Sequence, residues 1–489
     1  MTTIQQALHI FRKDARHLRF ELAATGVLLL ILLFTSVQTW EGLQERGTVI
    51  PHSAGPLTVL LLISWSLLIA RVVQTEALPG DRHFWLTRPY NRASLVLSKA
   101  MFALAFVNLP LLIVQAALLW FDGLPVSSYL GGLLTNQVLL TVVLLLPVAT
   151  VAALTRNLAQ FVPVAIVVGM VLVAPVVDRR GYGDLEWIPS ALGGLFTVAI
   201  AAFVLWRQYR TRRSLHTAAL GAAATAVAII VYSTFPQGAA FAVQSQLSKS
   251  PDGSFRLSLG QAPARSAEPG VPNRFRQLVA LPMNVDGASP ADLRIQSAEV
   301  TLKTLSGVRR RVHAQVEMAN DQLRQVISLD RTFFDAAKDA PVQMEAVLYI
   351  TQYGHAQTKD VPLDGTPVYI PGPGQCGVVA SYSRRQFVCR SAFHNPQPFL
   401  SDDVEPRGYN NYDPLRDTWF TPRVRFLVAP ISGRTYGFVD DTEHLAPAAP
   451  LGPASILVRD PIAYFRYVVS AENVRLGDYA IGAGGAGGQ

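Results

Sequence analysis

Residues 101–121 read MFALAFVNLPLLIVQAALLWF, twenty-one positions without one charged side chain. A helix on the surface of a water-soluble protein keeps a polar face, and this stretch has none. Its length matches the roughly 20 residues that carry a helix through the hydrocarbon core of a bilayer. There the backbone must close its own hydrogen bonds, because each orphaned group costs several kcal/mol. The stretch therefore reads as a membrane-crossing helix. The same test picks out six more: Glu21–Trp40, Ala54–Val73, Gly131–Leu154, Phe161–Val177, Pro189–Trp206 and Ala218–Phe235. The expected architecture is an α-helical transmembrane bundle of about seven spans. The last three segments lie near the short limit, and the last is rich in alanine, which weakens its insertion.

Half of the 489 residues are hydrophobic and only 16% are charged, and the charges are unevenly spread. Residues 1–235 hold 17 Lys and Arg against 10 Asp and Glu; residues 236–489 hold 25 against 24. The excess cations sit in short segments between apolar runs. A nucleic-acid partner needs them gathered on a polar surface, so that class is set aside. Cationic connections are retained on the cytoplasmic side of a membrane. One side collects 14 of them: Arg12, Lys13, Arg16 and Arg19, then Arg71, Arg82, Arg88, Arg92 and Lys99, then Arg156, and finally Arg207, Arg210, Arg212 and Arg213. The other side has Arg46, Arg179 and Arg180. The N-terminus is thus expected inside, and an odd number of spans delivers everything after Phe235 outside. The run after Phe20 has spanning length and no small-residue cleavage site, so it reads as an uncleaved first span.

Three regions follow: an amphipathic interfacial helix over 1–20, a transmembrane domain over 21–235, and an extracytoplasmic β-rich domain over 236–489. In the first, Ile4, Leu8, Phe11, Ala15 and Leu18 recur at helical spacing while Gln5, His9, Arg12, Lys13 and Arg16 lie on other faces. That pattern suits a helix lying on the inner membrane surface, or a plain topology anchor. Away from their ends the spans carry amides, Asn108, Gln115, Asn136 and Gln137, and the helix-bending Pro110, Pro147, Pro163 and Pro175, but no ionisable side chain. Helix packing and substrate contact are both open for the amides. Ion-coupled carriers keep charged groups inside the membrane, so transport by this chain would draw its energy from another subunit.

The connection from Gln74 to Ala100 reads QTEALPGDRHFWLTRPYNRASLVLSKA. It mixes Phe84, Trp85 and Leu86 with Arg82, Arg88 and Arg92, while Pro79 and Gly80 break the preceding helix and Asn91 opens another. Such an element either docks a soluble partner or packs beneath the bundle with Trp85 at the lipid interface. An N-terminal interfacial helix, a first span, and a cytoplasmic re-entry with WLTRP, a second arginine and then a lysine at the mouth of the next span together resemble the permease subunits of type-2 ABC exporters, over roughly residues 1–210. The resemblance implies a bacterial inner-membrane protein in which two permease subunits, identical or different, form a pore. It also implies a separate cytoplasmic ABC ATPase that touches the connection, through Gly80, Asp81, Arg82, Trp85, Arg88, Pro89 and Arg92 here. The nucleotide belongs to that partner: the chain has no GxxxxGK[ST], and no cofactor of its own is expected.

Beyond Gly253 the pattern shifts to short alternating runs, Phe255–Leu259, Leu293–Leu305, Val312–Val316, Met344–Ile350, Gln386–Arg390, Val424–Val428 and Tyr464–Val469, separated by turn residues. These read as strands of a sandwich-like domain or a pair of small β modules, with a short helix near Asp330–Lys338, a proline-rich linker at Ala446–Pro453 and a flexible GAGGAGGQ end. Cys376 and Cys389 bracket a hairpin turning near Ser383. Outside the cytoplasm they are expected to form a disulfide, worth about 3 kcal/mol, with free thiols the alternative. The GxGxxG matches at Gly372, Gly374 and Gly377 and at Gly482, Gly484 and Gly487 lack the strand-to-helix setting of a dinucleotide site. Asp402, Asp403, Asp413 and Asp417 fit no standard calcium loop. With no GxSxG or HExxH, no enzymatic activity is expected of the chain itself, and no metal site. The expected function is a permease-like subunit of an ATP-driven transporter. The alternative is a non-transporting membrane protein whose external β domain binds a ligand or partner.

Overall fold

A computed structural model describes residues 2–37, 54–75, 92–177, 185, 187–211, 214–251, 255–262, 275–287, 292–319, 322–354, 357–362, 365–370, 374–381, 384–393, 399–402, 431–441 and 454–481. The described chain begins with helices and continues into mainly antiparallel sheet. In order, the helices are α1 (Thr3–His17), α2 (Arg19–Ser36), α3 (Ala54–Gln74), α4 (Arg92–Ala103), α5 (Leu109–Phe121), α6 (Leu130–Leu140), α7 (Leu146–Leu154), α8 (Leu158–Val177), α9 (Trp187–Thr211), α10 (Ser214–Ser233), α11 (Gln237–Leu247) and the short α12 (Arg331–Ala337). Six helical stretches are long and apolar enough to cross a membrane: Arg19–Ser36, Pro56–Gln74, Ala93–Phe121, Val126–Leu154, Trp187–Gln208 and Leu215–Ser233. The remaining expected segment lies in α8, where Leu158–Met170 forms a shorter apolar stretch. Six helices of spanning character, rather than about seven, are therefore what the described residues display.

Two of the long helices are built alike. A π-helical turn, Leu104–Asn108, joins α4 to α5, and a second, Thr141–Leu145, joins α6 to α7. In each case a proline, Pro110 or Pro147, follows two residues after the turn. A proline ring collides with the carbonyl one turn earlier and supplies no N–H. Widening the preceding turn by one residue accommodates the ring without breaking the helix.

The chain divides into two compact units. The first comprises Met1–Asp178, Ser190–Thr234 and Thr358–Leu457. Its helices enclose a core of Leu61, Trp65, Leu68, Phe102, Val107, Leu111, Leu140, Leu145 and Phe161. Their outer faces expose Leu104, Ile113, Leu139, Val143 and Ile166. Apolar side chains on both the inside and the outside of a helical bundle fit a hydrocarbon solvent. The same unit holds a four-stranded sheet ordered β12 (Ile431–Asp441), β10 (Arg384–Ala392), β9 (Gly374–Ser381) and β8 (Val368–Ile370). The β9–β10 pair is the expected hairpin: Arg384 faces Ser381, and Cys389 faces Cys376. The two cysteines are joined as a disulfide.

The second unit comprises Arg179–Pro189, Phe235–Gln357 and Val458–Gln489. Its sheet has seven strands in the order β1 (Arg256–Leu259), β2 (Arg276–Asp286), β5 (Gln322–Asp330), β4 (Arg309–Ala319), β3 (Leu293–Thr304), β6 (Val342–Tyr353) and β14 (Pro461–Val474). Alternation does the work that periodicity does in the helices: Ala298, Val300 and Leu302 of β3 and Ala346, Leu348 and Ile350 of β6 are buried on one face, as a period of two residues requires. Around α11, Phe241 packs with Tyr349, Tyr464, Leu185 and Ile188. Gly238 lies so close to the Tyr349 hydroxyl that a Cβ there would stand 2.7 Å from it, which explains a glycine inside that helix.

Three further strands, β11 (Phe399–Asp402), β13 (Ala454–Arg459) and β7 (Gln357–Val361), form a third sheet. The expected strand at Val424–Val428, the linker at Ala446–Pro453 and the glycine-rich end fall outside the described residues.

Candidate functional site

Polar contacts of the first unit collect at three levels along the helices. At one end α1 packs on α4. The face that α1 buries carries Ala7, Ile10, Asp14 and Leu18, so it includes a carboxylate as well as the apolar series read from spacing. Asp14, 1% exposed, accepts a hydrogen bond from the Lys99 Nζ of α4 at 2.6 Å. The Ser94 hydroxyl donates to Gln6 Oε1 at 3.0 Å, and Phe11 stacks on Phe106 and meets Phe102 edge-on. At the same level Arg71 pairs with Glu21, and Gln74 donates to Thr155 at 3.0 Å. Of the apolar series read from spacing, Phe11 and Leu18 pack against protein, while Ile4 is 63% exposed.

At the middle level the amide Nδ2 of Asn108 donates to Thr141 Oγ1 at 2.9 Å, and Gln137 Nε2 donates to Gln115 Oε1 at 2.9 Å. Thr141 donates its own proton to the Gln137 carbonyl. Asn108 ends one π turn and Thr141 starts the other. Both bonds tie the same pair of long helices together, which is the packing role for these amides. Asn136 is buried too.

At the opposite end, the turn after α5 presents Asp122, and Arg390 of β10 donates to it through Nη2 at 2.7 Å. The two side chains are 2% and 1% exposed. Burial pushes the arginine pKa down, and the Asp122 charge opposes that fall. Removing charges from water is costly unless each is paired, so the two depend on one another. Leu119, Leu124, Tyr129, Leu133 and Ala392 pack around the pair's neighbourhood. Phe393 sits at φ +57°, an uncommon setting for an aromatic residue. Its ring presses on Gly132 so closely that a Cβ there would meet it at 2.6 Å. The Cys376–Cys389 bridge is one residue from Arg390.

Of the residues expected to form a coupling surface, Gly80, Asp81, Arg82, Trp85, Arg88 and Pro89 lie outside the described residues, and Arg92 opens α4. What the structure adds is the α1 brace on the helix that follows them. Asp122 and Arg390 were missed as a pair, although Asp122 is the only acidic residue between Asp81 and Asp178. Among the described residues, no group of three or more His, Cys, Asp or Glu side chains is placed to hold a metal ion. Comparison with protein-family models, curated proteins and solved structures finds no match for this chain.

Proposed function

We propose that the chain is a multi-pass, permease-like subunit of the inner membrane, driven by a separate cytoplasmic ATPase and paired with a second permease subunit. Its N-terminus is cytoplasmic and its β-rich half lies on the other side. The observation that carries the layout is the buried Asp122–Arg390 pair. Two groups in direct contact share one side of a membrane, so the chain between them crosses an even number of times. Val126–Leu154, Trp187–Gln208 and Leu215–Ser233 supply three crossings. Counting α8 as the fourth satisfies the pair and brings the whole chain to seven. The arginine-rich connections then share the face of α1 and Lys99, the side on which cations are retained.

The ATPase reading draws on the brace. A helix that must relay force from a docked subunit needs a stiff root. Helix α4, which emerges from the 76–91 connection, is bonded at Ser94 and Lys99 to a helix rooted in the first span. Co-purification of an ATP-hydrolysing subunit with the wild type, and its loss in Trp85→Ala/Arg88→Ala, is the expected result. No such subunit in native membranes overturns the reading. The layout has its own check: a cysteine replacing Asn157 should react only from the cytoplasmic side, and one replacing Ser127 only from the other. A second reading, a non-transporting relay or anchor for an external binding domain, gains from one observation: Gln115 and Gln137 are buried and bonded to each other.

A further inference from the structure

The face that α1 turns away from the bundle is cationic. His9, Arg12, Lys13, Arg16 and His17 are exposed there, followed by exposed Arg19 and Phe20. The only carboxylate in the helix, Asp14, is on the buried face and held by Lys99. At 100° per residue, His9, Arg12, Lys13 and Arg16 share one side of the helix. Like charges at i, i+4 such as Arg12 with Arg16 disfavour an isolated helix.

The height of this face relative to a bilayer follows from chain connectivity. A single residue, Leu18, separates α1 from α2, the first spanning helix. One residue leaves α1 at the level of lipid headgroups. Phe20, 72% exposed, stands at the junction with the Arg19 guanidinium 4.7 Å from its ring centroid. A guanidinium over an aromatic face is attracted by the ring quadrupole.

We propose that this outward face is a binding site for anionic phospholipid headgroups, and that lipid held there steadies α4 through the Asp14–Lys99 and Gln6–Ser94 contacts. Charge complementarity identifies the occupant: phosphate-bearing, net-negative headgroups are the anions present at that level in a bilayer. The steadying of α4 deepens the ATPase reading and depends on it for its consequence; the lipid site does not.

The test uses the full chain in nanodiscs of phosphatidylcholine alone or mixed with phosphatidylglycerol. Native mass spectrometry counts retained lipids, and hydrogen exchange follows α1 and α4. The wild type should retain phosphatidylglycerol in preference to phosphatidylcholine and show slower exchange in both helices when it is present. In Arg12→Gln/Lys13→Gln/Arg16→Gln the preference should fall about fivefold per cation removed. The charge-preserving Arg12→Lys/Lys13→Arg/Arg16→Lys should keep it, which separates lost charge from a damaged fold. Equal retention of the two lipids by the wild type overturns the proposal. So does protection of α1 by an acidic protein that is indifferent to lipid composition. Failure to find an ATPase leaves the lipid counts unchanged, so the two readings fail separately.

Discussion

The two ends of the helical region are each fastened by a buried ion pair, yet the fastenings are of different kinds. At the α1 end, Asp14 and Lys99 belong to helices joined by the first two spans, and Lys99 keeps 12% of its side chain in solvent. At the other end, Asp122 and Arg390 are 268 residues apart, and both are almost wholly buried. The first is an amphipathic helix folded back on a neighbour; the second recruits a strand from the distant part of the chain. A residually solvated pair loses less when broken than one sealed from water on both sides. The contrast therefore makes a quantitative demand on the two ends.

The largest effect is expected at Asp122 and Arg390. Arg390→Met or Asp122→Ala alone leaves a buried, uncompensated charge and should cost about 3–5 kcal/mol, read as a loss of thermal stability in detergent. The double variant should regain most of that loss. Equal losses in the single and double variants would mean that the two side chains are not coupled. Next in size is the disulfide: Cys376→Ser/Cys389→Ser removes a bridge of sequence separation 13 and should cost about 3 kcal/mol. Combined with Arg390→Met its effect should be less than additive, since neighbouring sites share their surroundings. Strict additivity would separate the hairpin from the ion pair. Asp14→Ala should cost about 1.5–3 kcal/mol, less than Asp122→Ala. An equal or larger loss would reverse the comparison.

How much of this was legible in the sequence differs between the ends for a physical reason. Helical periodicity and charge bias are local signals, so α1, the apolar runs and the basic connections were all readable. Even so, the face that α1 buries, with Ala7, Ile10, Asp14 and Leu18, is offset by about one residue from the apolar series read from spacing. The cysteine hairpin was legible because two cysteines bracketed a turn. Arg390 was not: an arginine beside a cysteine in a strand looks like any outward-facing residue, and its partner is fixed only by the tertiary fold. Strand β2 was passed over for a similar reason. Pro282 interrupts its apolar series, and a proline inside a run argues against a strand. Yet Pro282 faces Arg324 in the sheet and its carbonyl accepts from Gly260. Of the residues expected to form the coupling surface, all but Arg92 are outside the described part, so the sequence remains the sole source for them.

Between the two ends, the bonded amides set the lower limit of the comparison. Asn108 and Thr141, both half-buried, lie at the π turns of the two long helices and are joined by a 2.9 Å bond. Such bonds inside membrane proteins contribute about 0.6 kcal/mol each on average. Asn108→Leu should therefore destabilise the protein by less than 1 kcal/mol, roughly the same scale, despite removing a polar contact from the middle of the bundle. The reason is that the prolines, not the amide, enforce the π turns: Pro110 and Pro147 would still require them. Pro110→Ala offers the sharper test of this point, because restoring an N–H lets the regular i to i−4 ladder close. If that variant keeps the bulge, as read from amide exchange across Leu104–Asn108, then the Asn108–Thr141 bond holds the turn open and its energetic share is larger than its length implies. If the bulge closes, Asn108 rotates by about one residue step, 100°, away from Thr141, and the bond is a consequence of the proline.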